Sequence, residues 1–544
     1  MTAWSPFRFR AFTLLWTATL ISNIGTWMHD VGAGWLMTTL DSTPSVVTLV
    51  QAATTLPIFL FALFAGTLAD RVDKRRLLIT VNLFLFVVIA ALAVLVAQGL
   101  MTPWLLISFT FLIGTAAAFM APAWQSIVPE LVPRDTLNPA IALNSMGLNI
   151  SRAIGPAIAG FLITAVSLAA PFALNAATHI LIIAALLLWK REEQPAHTLP
   201  PEPMGAAMIT GLRHAFYNGP LKATLVRAFG FFVFASAYWS LLPLVARQVP
   251  GGGAEFYGLL LAAIGTGAVL GALLLPKLKK WLDTNRLAAL GSLVTALAMV
   301  LLSVFDLQAV AIGAALLGGL GWIGVLTSLN ISAQTALPNW VRARGLAIFM
   351  MVFFGSMAAG STLWGQVATS RSADDALLIA AIGIVLAIPL TWRWRLGLGE
   401  ELDLSPSSFW PSPALHRDLG QPADRGPVMI TIDYRIDPAS EAEFVRAIHE
   451  LSKERYRDGA YQWGLYQDAE APECWKEWFL VASWNEHLRQ HERVTRHDQD
   501  IQEGVLGFHV GEETPRVRHL LGPAAADPES QAPALHRRHP EHDA

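Results

Sequence analysis

Twelve apolar segments fill the first 395 residues of the chain, at about 11–37, 46–68, 77–97, 104–122, 139–163, 168–189, 221–246, 256–276, 287–305, 308–330, 343–368 and 375–394. A helix needs roughly 20 mostly apolar residues to cross a bilayer. Inside lipid, each such segment has to satisfy its own backbone polar groups, and a helix does so. Composition agrees: of 544 residues, 54% are hydrophobic and 15% charged, with a mean hydropathy of +0.46, whereas a soluble protein carries about 25% charged residues. The net charge of −3 argues against a nucleic-acid partner. The single cysteine, Cys474, excludes an intramolecular disulfide and leaves little room for a cysteine metal site. The N-terminal stretch enters the first apolar segment without a small-residue cleavage site, so that segment is read as a retained membrane helix.

Positive charge gathers on the cytoplasmic side of membrane proteins. With the N-terminus inside, the inner loops collect Arg8, Arg10, Arg71, Arg75, Lys277 and Arg342 with their basic neighbours, while the outer loops keep Arg247 and Arg371. Both ends of the membrane portion are therefore expected in the cytoplasm. An offset of 205 residues aligns Pro133, Ala142, Gly155 and Gly160 with Pro338, Ala347, Gly360 and Gly365, and also Gly66 with Gly271. One constant offset across separate loops predicts a duplicated six-helix unit, arranged as a parallel repeat. The expected halves are 1–190 and 221–395, joined by a cytoplasmic central loop over 191–220.

The remainder changes character. Residues 396–426, rich in Pro and Ser from 405 onward, read as a linker. Val428–Ile436 alternates like a strand. Residues 437–451 follow as a helix whose Ser440, three residues before Glu443, predicts a capping box. Two more strands and another helix complete a strand–helix–strand–strand–helix order, which predicts a small cytoplasmic ferredoxin-like α+β domain over 427–521. Residues 522–544, rich in Pro, Ala and His, read as a disordered tail. His487 and His491 have the i, i+4 spacing of a metal pair, but the sequence offers no evident third ligand. They are read as a solvated helix face, and no metal site is assigned.

Gly66-Thr-Leu-Ala-Asp70-Arg71-Val-Asp73-Lys74-Arg75-Arg76 resembles the signature between the second and third helices of the major facilitator superfamily. That resemblance implies a gating loop: Gly66 for close helix approach, and Asp70, Arg71 and Arg75 for an ion-pair cluster locking the two halves on the cytoplasmic side. Asp73 departs from the pattern, where glycine is usual. Gly155-Pro156 with Gly160 resembles the glycine–proline helix kink of antiporters in this superfamily, and simple close packing explains the same residues. Gly265, Gly267 and Gly271 superficially resemble a nucleotide loop, but they lie within a span and are assigned to helix packing. Residues 128–145 and 336–356 together resemble the enterobactin-exporter-like, transmembrane secretion effector branch, over about 5–395. Membership implies proton-driven export of small amphipathic molecules such as drugs or siderophores, from a bacterial-type inner membrane, with no cofactor and no catalytic residue. The tail is similar to antibiotic-biosynthesis-monooxygenase-like domains, which implies dimerisation through its sheet. The alternative that follows is a transporter fused to a quinol-monooxygenase-like enzyme that modifies the exported compound.

Ionisable residues within the spans narrow the site. Asp30, Arg152, His179 and Arg227, with His29 beside the first, each cost about 2.5–3.5 kcal/mol facing lipid, so each is expected to face the interior. Thr19, Asn23, Thr26, Trp27 and Asp30 fall on one helical face, which predicts a polar, aromatic stripe along the transport path. His29 lies about 100° away around the helix. Asp30 is read as a proton-coupling carboxylate whose partner or substrate anchor is Arg152. The competing reading is that His29 and Asp30 end the helix at the membrane surface. His179 is read as a satisfied packing residue and Arg227 as a residue snorkelling toward the inner face.

Overall fold

The computed structural model describes residues 4–69, 72–133, 136–189, 204–407 and 425–522. The chain divides into two compact units, Met1–Glu401 and Leu402–Ala544. The first unit contains α1 (Arg10–Leu40), α2 (Pro44–Ala69), α3 (Lys74–Ala97), α4 (Pro103–Ile127), α5 (Leu137–Ala165) and α6 (Ala170–Leu188). After these come α7 (Met204–Tyr217), α8 (Gly219–Gln248), α9 (Ala254–Leu278), α10 (Thr284–Val304), α11 (Gln308–Thr335), α12 (Arg342–Ser370) and α13 (Ala373–Thr391). Among the described residues, eleven of these helices are long and apolar enough to cross a membrane. The twelfth expected span, α1, has 31 residues, but its polar stripe and two charges lower its hydropathy. α7 occupies much of what reads in sequence as a central loop. It is a 14-residue helix, followed directly by Asn218, which caps α8 by accepting from Leu221 N at 2.9 Å and donates to Ala336 O at 2.8 Å.

Local chemistry sets the helix ends. Asp73 accepts from Arg76 N at 2.7 Å and caps α3, and Asp283 caps α10 through Arg286 N at the same distance. Thus the residue that departs from the family signature has a structural use: an acid caps the helix where a glycine would only turn the chain.

The duplication is visible in packing. α12 begins and ends 205 residues after α5. A Cβ on Gly155 would meet Trp27 Cβ at 2.6 Å and Ile24 O at 3.0 Å on α1; at Gly360 it would meet Val233 and Ser236 on α8. At Gly160 it would meet Ala254 O at 3.0 Å on α9, and at Gly365 it would meet Ser45 and Thr48 on α2. Equivalent glycines therefore serve equivalent contacts, one within a half and one between halves. α5 continues as helix through Pro156. Gly265 lies against Arg152 of α5, while Gly267 and Gly271 lie against Leu316 and Leu320 of α11, so these glycines are packing positions. Gly66 differs: no described atom lies within 4 Å of where its Cβ would stand, so the close approach expected there is absent among the described residues.

The second unit is a four-stranded antiparallel sheet with order β2-β3-β1-β4. Its elements are β1 (Val428–Arg435), α14 (Glu441–Arg457), β2 (Gln462–Gln467), β3 (Cys474–Val481), α15 (Trp484–Arg493), α16 (Arg496–Leu506) and β4 (Arg516–Leu521). This is the expected ferredoxin-like order, extended by α16 and by an edge strand whose polar composition hid it. Val428, Ile430, Ile432 and Tyr434 of β1 all point into the core with Phe444, Ile448, Leu451 and Phe479. The box expected at Ser440 does not form. Ser440 caps α14 without a side-chain bond, because a 3-10 turn capped by Asp437 precedes it. The capping box lies at Thr495 and Asp498 of α16.

Gly258, whose Cβ would run into Pro156 O and Gly160 Cα, provides a test. Gly258→Val is expected to destabilise the chain by about 1–3 kcal/mol through overpacking, read as a lower unfolding midpoint in detergent. Gly66→Ala is expected to leave that midpoint within about 0.5 kcal/mol of wild type.

Candidate functional site

α1 runs past Asp30 to Leu40, about 15 Å further along the axis. Asp30 therefore lies within the helix, and the reading that His29 and Asp30 end it is set aside. The stripe is partly accessible: Thr26 and Asp30 are exposed, while Thr19, Asn23 and Trp27 are half-buried. Asp30 is exposed although it lies ten residues before the end of the helix.

Two helices, α5 and α9, meet α1 along this stripe. From α5, the Arg152 guanidinium lies 5.3 Å from the centre of the Trp27 ring, a cation–π arrangement. The Arg152 Nε is buried without a hydrogen-bond partner among the described residues. From α9, Tyr257 stacks with Trp35 at 6.4 Å. Gly34 makes room for it: a Cβ there would stand 2.8 Å from the Tyr257 hydroxyl. The expected meeting of Asp30 with Arg152 does not occur; among the described residues no ion pair joins them. The aromatic ring intervenes because Trp27, one turn earlier on the same face, takes the guanidinium. The site thus offers a carboxylate and a guanidinium that are not neutralised by each other, with tryptophan and tyrosine as apolar surfaces. Sequence reading missed Tyr257. Its signal was an aromatic beside a glycine, Tyr257-Gly258, facing the glycine-rich end of α1.

The other candidates lie elsewhere. His29 is 3% exposed and sets its ring edge against Phe172 of α6, 5.0 Å between centres. It is packed between helices, whereas its neighbour Asp30 is exposed. His179 Nδ1 pairs with Asn82 Oδ1 at 2.9 Å. Arg227 stands 5.6 Å over the Trp392 ring and is 7% exposed, so it packs within its half.

Asp70 and Arg71 lie outside the described residues. Arg75 donates to Leu186 O at 2.7 Å and Leu187 O at 2.8 Å, closing the C-terminus of α6, where a cation is favoured. Lys74 pairs with Glu130 at 3.2 Å. These basic residues knit the N-terminal half together. Contacts between halves include Ser45 N donating to Thr369 Oγ1 at 2.9 Å and Arg247 donating to Thr38 O. Both lie at the end of the bundle that carries the α1–α2 turn.

The second unit has its own buried polar centre. Glu477 is 0% exposed and accepts from Tyr434 Oη at 3.0 Å, Arg455 Nε at 3.1 Å and Trp463 Nε1 at 3.0 Å. Burial, then the charge of Glu477, pushes the Tyr434 hydroxyl well above its ordinary range. Arg455 also lies 5.0 Å from the Phe479 ring centre.

A family model described as transmembrane secretion effector matches residues 1–527. The chain is 25% identical over 335 residues to the staphyloferrin A transporter of Staphylococcus aureus, covering 60% of this chain and 82% of that protein. It is 25% identical over 400 residues to the enterobactin exporter EntS of Shigella boydii, covering 71% and 93%. Among solved structures, a bacterial homologue of the human lysosomal transporter Spinster, inward-facing and unoccupied, superposes with a TM-score of 0.57 at 14% identity, covering 71% of this chain and 96% of that one. A peptide-bound POT family transporter gives 0.59 at 13% identity, with the same coverage.

Glu477→Ala leaves the Arg455 guanidinium buried without its carboxylate, and such losses run to about 3–5 kcal/mol. The second unit is expected to unfold at a markedly lower temperature. The pair replacement Glu477→Gln with Arg455→Met is expected to recover part of the loss, because the buried cation is gone and the amide oxygen still accepts from Tyr434 Oη or Trp463 Nε1.

Proposed function

The chain belongs to the transmembrane secretion effector family of the major facilitator superfamily, and on that premise we propose that it exports small amphipathic, anionic molecules of the siderophore class by proton-coupled alternating access. Its membrane portion is a multi-pass transporter. The observation that carries the finer reading is the placement of two charges on neighbouring helices: Asp30 on α1, with no ion pair among the described residues, and Arg152 on α5, its guanidinium held over the Trp27 ring. A guanidinium with free donors is suited to carboxylate, hydroxamate or catecholate oxygens. Trp27, half-buried, offers a face for the aromatic or aliphatic body of the same molecule. Asp30 carries the proton in this scheme, because a carboxylate inside a bundle is tolerated where it serves as a relay. The names of the enterobactin exporter and the staphyloferrin A transporter support a siderophore-like substrate. With both termini in the cytoplasm, the end joined by Ser45–Thr369 and Arg247–Thr38 is the outer gate.

The test is uptake of labelled enterobactin into inverted membrane vesicles energised by a pH gradient, from cells lacking their own exporter. Asp30→Asn is expected to abolish gradient-driven accumulation while leaving exchange of substrate between the two sides. Arg152→Gln is expected to raise KM about 10-fold or more, as loss of a hydrogen bond to a charged group implies, with little change in the response to the gradient. Wild-type accumulation by Asp30→Asn would overturn the coupling role.

A further inference from the structure

We propose that His487, His491 and His519 of the C-terminal unit bind a divalent transition-metal cation of the zinc type, through three imidazole nitrogens and one open coordination position. The sequence shows the first two as an i, i+4 pair and gives no sign of the third. The fold supplies it. His519 pairs in register with Ile430 of β1, and residues directly opposite in an antiparallel sheet share a face. Ile430 is a core residue at 2% exposure, so His519 projects toward the helical side, where its ring lies 4.8 Å from that of His487.

The geometry fits a small tetrahedral ion. The Nε2 atoms of His487 and His491 are 3.2 Å apart. With zinc–nitrogen bonds of about 2.0–2.1 Å, the edge of a tetrahedron is about 3.3–3.4 Å. One ligand nitrogen from each of the three histidines lies within 4.8 Å of the others, and rotation of the His519 side chain shortens its share of that distance. His487 Nδ1 faces Gln490 Oε1 at 3.3 Å. A carboxamide oxygen only accepts, so Nδ1 carries the hydrogen and the Nε2 lone pair points at the centre. That is the supporting bond metal-binding histidines usually make. Gln490 is 0% exposed, and Trp484, its ring 5.6 Å from that of His487 and 6.0 Å from that of His519, walls the same side.

The donor set selects the ion. Three imidazoles without a carboxylate suit zinc and its transition-metal neighbours in preference to magnesium or calcium. The acidic trio in the same unit makes the contrast: Glu454, Asp458 and Asp498 all pair with Arg457, at 2.6, 3.1 and 2.8 Å, and that guanidinium occupies the place a cation would take. Three protein ligands with a fourth position open describe a site that exchanges its ion or presents it to another molecule.

The test uses the full chain, purified in detergent, stripped with a chelator and titrated with Zn²⁺. All variants are made in a background of His536→Gln, His539→Gln and His542→Gln, so that the C-terminal histidines do not contribute. The expected result is one zinc per chain, and Co²⁺ in its place giving the visible absorption of a four-coordinate nitrogen site. His519→Gln and His491→Gln are each expected to weaken zinc binding about 100-fold or more, while His497→Gln leaves it unchanged. Metal-free unfolding midpoints equal to wild type confirm that both ligand variants are folded. Zinc binding unaffected by His519→Gln, or no stoichiometric binding in the parent chain, would overturn the proposal.

Discussion

Where α5 meets α9, glycines at 160, 258 and 265 leave no side chain between the helices, and backbone rests close to backbone; where α12 meets α2, Gly365 admits the Thr48 side chain. Lipid provides no hydrophobic force to drive two apolar helices together, so such contacts rely on close van der Waals packing. The rest of the membrane unit is arranged by these seams. They fix which faces of α1 and α8 turn inward, since Gly155 and Gly360 on the same two helices receive α1 and α8. Through α1 they also set where Trp27 and Asp30 stand. The polar stripe is thus a consequence of the packing of α5.

The two unpaired charges follow from the same arrangement. Arg152 belongs to the stretch of α5 that lies against Gly265 of α9, and its guanidinium is held by an aromatic ring in place of a carboxylate. A direct ion pair with Asp30 would neutralise both groups, and the proposed function needs both charges uncompensated. Separation of the two by Trp27 keeps each available while the ring supplies part of the stabilisation an ion pair would have given.

The spans, the two halves and the ferredoxin-like tail were legible because each rests on a local signal: hydropathy over twenty residues, a repeated spacing, an alternation of strands and helices. The face of α1 was legible for the same reason, since helical spacing alone aligns Thr19 with Asp30. Contacts across helices were not. Nothing in residues 140–160 says that Arg152 meets Trp27 before Asp30, and nothing near Tyr257 says that Gly34 will admit it. Gly66 looked like a packing glycine because its motif is one in relatives; the space beside it depends on neighbours the motif does not contain. β4 escaped notice because an edge strand carrying Arg516 and Arg518 has no reason to alternate. With it went His519, a residue whose meaning depends on a helix some thirty positions earlier in the chain.

The glycine seam also bears on how the transporter moves. A contact built of interlocked side chains opens by rotamer changes, each with its own barrier, and the halves would hesitate at every one. A contact of bare backbone has nothing to unlatch. α9 can roll along α5 as a shaft turns in a plain bearing. The work of choosing between open and closed then falls to the few polar ties at the ends of the bundle and, in the proposed function, to whatever occupies Asp30 and Arg152.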